Sequence, residues 1–100
     1  MSRTRILVIA ADSSVREGPC QALEGAGYEA VPVASVATAC DRLGEAPAGL
    51  ALVHAASVGD WRRLRRRPGA PPVVVMEAGA DVPRAVRAIR YGAVDFLASP

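Results

Sequence analysis

The chain has 100 residues, enough for one domain with one core and too few for two. Hydrophobic residues make up 51% and charged ones 22%, which excludes a disordered chain, and no apolar run reaches the roughly 20 residues of a membrane helix. The net charge is only +2, so charge alone does not mark a nucleic-acid or membrane binder.

All 12 basic residues are arginine, which together with 20 alanines reads as a bias of the coding DNA. The segment from Ile6 to Ala11 is too short for a signal-peptide core before Asp12 interrupts it, so a cytoplasmic location is expected.

The first predicted strand is Arg5 to Ala10, followed by Asp12-Ser13-Ser14 as loop and helix cap, with Ser14 and Glu17 spaced as a capping box. The first helix should end through Gly25-Ala26-Gly27. Pro19 inside it predicts either a kink or a late start. Strand two, Glu29 to Ala34, contains Pro32, which cannot donate to a ladder and so belongs at a sheet edge. With Ser35 as cap, Val36, Ala39, Cys40 and Leu43 form one helical stripe that Gly44 closes.

Strand three, Leu50 to His54, is apolar without alternation, as strands covered on both faces are. It ends on the only histidine of the chain. A short helix over 60–67 follows, anchored by Trp61 and Leu64, whose arginines read as a solvated face rather than a nucleic-acid surface. Strand four is Val73 to Met76. Another helix opens at Ala80 or Asp81, with Val82, Ala85, Val86 and Ile89 on one face, and closes at Gly92 before strand five, Val94 to Leu97. Cys20 and Cys40 sit in different helices and read as buried free thiols.

Apolar strands alternating with amphipathic helices specify an α/β domain with a doubly wound parallel sheet. Chemistry in such sheets gathers at the carboxyl ends of the strands. Those ends are 10–12, His54, Glu77 and 98–99.

Three stretches, ILVIAADSSVRE, ALEGAGYEA and VVVMEAGADVPRAVRAIRYGAVDFLASP, resemble the receiver domains of bacterial two-component response regulators, most closely the nitrogen-regulatory type. The resemblance covers nearly the whole chain. It implies a flavodoxin-like five-stranded sheet of order 2-1-3-4-5, with the fifth helix of the family absent or truncated at Pro100. It also implies that residues 1–100 are the amino-terminal part of a longer regulator.

Receivers bind Mg²⁺ through paired acids after strand one, accept phosphate on an aspartate ending strand three, and use a hydroxyl and a lysine after strands four and five. Those positions here are Ala11 and Asp12, His54, Glu77 and Ser99. Only Asp12 matches. The resemblance therefore implies a degenerate phosphorylation pocket at Ala11, Asp12, His54, Glu77 and Ser99, with no resident cofactor or metal: Asp12 is the single carboxylate ligand left, a weak candidate, and Mg²⁺ should bind poorly. His54 is expected to bond to the Asp12 or Glu77 carboxylate, and with serine in place of the lysine no cation should remain in the pocket.

The family's output surface implies Phe96 as the switch aromatic and Arg84, Arg87, Ala88 and Tyr91 as an interaction face. The expected function is a non-enzymatic, phosphorylation-independent interaction module in signal transduction and transcription control. Its partner would be a protein or a second copy, with a DNA-binding or ATPase output domain beyond residue 100 and no membrane partner. Two alternatives stay open: a receiver using another acceptor, and a metal or ligand sensor built on Asp12, His54 and Glu77.

Overall fold

In the computed structural model, which describes residues 3–78, 86, 93 and 95–99, five parallel strands form one sheet. The elements in order are β1 (Arg5–Ile9), α1 (Ser13–Gly25), β2 (Glu29–Val33), α2 (Val36–Glu45), β3 (Leu50–His54), α3 (Ala55–Val58), α4 (Arg62–Arg66), β4 (Val73–Ala78) and β5 (Asp95–Ser99). The spatial order is β2-β1-β3-β4-β5, the flavodoxin-like order.

Burial explains why β1 and β3 stand in the middle. Leu7, Val8, Ile9, Ala51 and Val53 are all 1% exposed or less, so neither strand has a face for water. Pro32 lies on β2, opposite Val8 and, among the described residues, with no strand on its far side, so its missing N–H leaves no ladder bond unmade.

Local chemistry sets the helix ends. Ser35 caps α2, its hydroxyl accepting from the Thr38 amide at 3.1 Å. Val36 and Ala39 are buried, and Cys40 and Leu43 pack against the same core. At the other end of α1, Gly27 takes φ +93 and donates to the Glu24 carbonyl, while the Tyr28 amide returns to Leu23.

Several boundaries differ from the sequence reading. α1 begins at Ser13 and runs unbroken through Pro19, so the late start does not occur. Its cap is Asp12, not a Ser14–Glu17 box, because the Ser14 amide and hydroxyl both donate to Asp12 Oδ1 at 2.9 Å. Ala55–Val58 forms a one-turn helix that the sequence reading did not include. β4 continues to Ala78, which carries Glu77 inside the strand. β5 lies further along, at Asp95–Ser99.

α4 is held by Trp61 at 7% and Leu64 at 0% exposure, as their spacing requires. Cys20 and Cys40 are free and half-buried, and burial pushes the Cys20 thiol up. Among the described residues no helix is long and apolar enough to cross a membrane.

Candidate functional site

The register of the sheet aligns the strand ends. Ile9 pairs with Val53, Val53 with Val75, and Val75 with Phe96, so one row of residues crosses the four strands from β1 to β5. His54 stands one step beyond that row, opposite Met76. Glu77 follows opposite Ala98, and Ser99 pairs with Ala78. The Ala11-Asp12 pair leaves the end of β1 on the same edge of the sheet.

His54 ends β3 and at the same time precedes the first turn of α3, which brings Ser57 back over it. Its Nδ1 lies 2.8 Å from Ser57 Oγ. The same oxygen accepts the Ala11 amide at 3.1 Å and donates to the His54 carbonyl at 3.2 Å. A serine hydroxyl has one proton and two lone pairs. All three contacts are satisfied together when Nδ1 carries a proton and donates, with Oγ–H directed at the carbonyl. That arrangement makes Nδ1 the ring's donor in this network. The partner of Nδ1 is thus a hydroxyl, not the Asp12 or Glu77 carboxylate that the sequence led us to expect.

Asp12 is engaged elsewhere. Its carboxylate is exposed and accepts both Ser14 donors, which hold it below the ordinary aspartate value; the Ser14 amide contributes most, then its hydroxyl, with the Arg16 guanidinium adding to the effect against a small cost of burial. Arg16 itself donates to the Ala10 carbonyl at 2.6 Å. A cation therefore stands at the end of β1, contrary to the expectation that none would remain. It comes from the first helix, one turn past its cap, and not from the end of β5.

Ala11 and His54 are brought together, through Ser57. Asp12, His54 and Glu77 do not converge into a metal-binding group, so the three-residue metal centre considered from the sequence does not form. Glu77 is half-buried within β4. Phe96 and Ser99 lie on β5. Arg84, Arg87, Ala88 and Tyr91 lie outside the described residues. Sequence reasoning missed Ser57 and Arg16. The first had a local signal, a hydroxyl three residues after a strand-ending residue.

No family model and no curated protein matches the chain. Solved structures do. A response regulator receiver protein from Pseudomonas putida is 27% identical with a TM-score of 0.85, covering 100% of this chain and 88% of that one. The chain has the receiver fold. A response regulator receiver domain protein from Clostridium thermocellum is 20% identical at TM-score 0.82, over 97% of this chain and 82% of the other. NtrX from Brucella abortus in complex with ATP is 22% identical at TM-score 0.88, over 98% of this chain. The receiver fold occupies only 23% of that longer protein.

Proposed function

We propose that this chain is a receiver-type regulatory module of signal transduction that acts through protein contact, without phosphoryl transfer and without a catalytic step of its own. The observation that carries the reading is the bond from His54 Nδ1 to Ser57 Oγ at the end of β3. An acyl phosphate needs a carboxylate nucleophile there, and this position offers an imidazole already engaged with its neighbours.

The rest of the edge agrees. Mg²⁺ requires near-octahedral oxygen ligands. Ala11 has no side-chain donor, the Asp12 carboxylate is taken by Ser14, and His54 supplies nitrogen. This donor set does not fit Mg²⁺. Glu77 adds negative charge where a phosphoryl group would need a hydroxyl.

The module would act in the cytoplasm within a longer regulator of transcription. The 23% share of NtrX occupied by the same fold supports an output domain, DNA-binding or ATPase, beyond residue 100. Contact with a partner or a second copy would use Phe96 of β5 and the face carrying Arg84, Arg87, Ala88 and Tyr91.

Incubation with acetyl phosphate and Mg²⁺, followed by intact mass measurement, tests the reading. The expected spectrum is that of the unmodified chain. A covalent adduct of one phosphoryl group would overturn it.

A further inference from the structure

A groove of about 490 Å³ lies between α2 and α4, lined by Cys40, Arg63, Arg66, Arg67 and Pro68. Residues 60–67 hold five arginines and one aspartate, a charge of +4, whereas the whole chain carries +2; the remainder is therefore net −2. Positive charge is concentrated here rather than spread over the surface.

The neighbouring arginines have other duties. Arg66 pairs with Asp60 at 3.2 Å and Arg65 donates to the Pro71 carbonyl. Among the described residues Arg63 and Arg67 have no acidic partner. Trp61 and Leu64 fix the helix beneath them, so the guanidinium groups are presented from a docked element.

We infer that this groove binds an acidic segment of a partner protein, through the Arg63 and Arg67 guanidinium groups. Planar guanidinium forks match carboxylates two bonds at a time. Exposed Arg63 and Arg66 and half-buried Arg67, with one thiol and one proline, suit side chains that stay partly hydrated, whereas small-molecule sites are mostly apolar and bury most of their ligand. Nucleic acid fits less well. Among the described residues the groove is lined by no aromatic side chain, Trp61 being buried under the helix, so it offers bases no stacking platform, and the net −2 outside it would repel a long polyanion. This surface is separate from the histidine-tipped end of β3, so it stands or falls independently of the reading above.

Fluorescence anisotropy with a labelled hexaglutamate peptide tests the inference on the full chain, with labelled hexathymidylate as the nucleic-acid arm. Saturable peptide binding is expected, weakened by added salt, and reduced roughly fivefold or more in the double variant Arg63→Ser/Arg67→Ser. Both positions lie outside the core, so the fold survives the change. Arg3→Ser, which removes one charge elsewhere, should leave the affinity nearly intact. Tighter binding of the oligonucleotide, a smaller loss in the double variant, an equal loss in Arg3→Ser, or no saturable binding would each overturn the inference.

Discussion

Ser57 Oγ lies 2.8 Å from His54 Nδ1, and the same hydroxyl takes the amide of Ala11. One side chain from a one-turn helix thus ties the end of β3 to the end of β1, two strands that are neighbours in the sheet. In a phosphorylatable receiver this is where a phosphoryl group must enter. Here it is spanned by an internal hydrogen-bond network.

Removing that hydroxyl should be felt in stability. Ser57→Ala leaves the imidazole Nδ1 and the Ala11 amide without their partner, and a hydrogen bond of this kind contributes about 1 kcal/mol net. For a domain of this size that corresponds to roughly 4–8 °C in Tm. A thermal melt that superimposes on the parent would show that the network carries no stability.

Restoring the nucleophile alone should not restore phosphorylation. His54→Asp supplies a carboxylate, yet Ala11 still lacks a metal-ligating side chain and Asp12 stays bonded to Ser14. Acetyl phosphate and Mg²⁺ should leave the mass of His54→Asp unchanged. A phosphoryl adduct on this variant would mean that one residue alone separates the chain from a working receiver.

Asp12 gives a pH dependence of known sign. Ser14, first through its amide, holds the carboxyl of the folded state below the ordinary value of 3.8. Its stabilising effect is therefore complete above that value and is lost as pH falls through the lowered folded-state value. Asp12→Ala should melt below the parent near neutral pH, and the gap should close on acidification. Parallel curves at every pH would remove Asp12 as the working cap.

Pro19 predicts a gain. It occupies the middle of α1, where it withholds one backbone donor and crowds the preceding turn. Pro19→Ala should stabilise the domain by up to about 3 kcal/mol, read as a higher urea midpoint with an unchanged slope.

The sheet was legible because its signals are local. Pro32 announced an edge, the unbroken apolar run Leu50 to Val53 announced a strand buried on both faces, and Ser35 announced a helix start. The site was legible by position and not by contact. Placing His54 at the end of β3 needs only the strand pattern, whereas its partner depends on how Ala11, 46 residues from Ser57 in the chain, approaches the same hydroxyl. Ala55–Val58 is a single turn, too short to display a helical stripe. At the start of α1, Asp12 and Ser14 are both good caps, and only the tertiary geometry chose between them.

Leu64 joins the core to the arginine helix, and its truncation tests both. The side chain is fully buried, in the cluster that includes Trp61, Val73 and Val75. Leu64→Ala removes transfer free energy and opens a cavity, together costing about 2–5 kcal/mol. Against a total of roughly 5–15 kcal/mol for a small domain, that is a large fraction. Arg63→Ala, one residue earlier on the solvated side, should stay within about 0.5 kcal/mol of the parent. Trp61 is the only tryptophan, so its fluorescence reports this corner of the core during urea unfolding. If both variants unfold at the parent's midpoint, α4 is not docked by Leu64, and the groove beside α2 has no fixed wall.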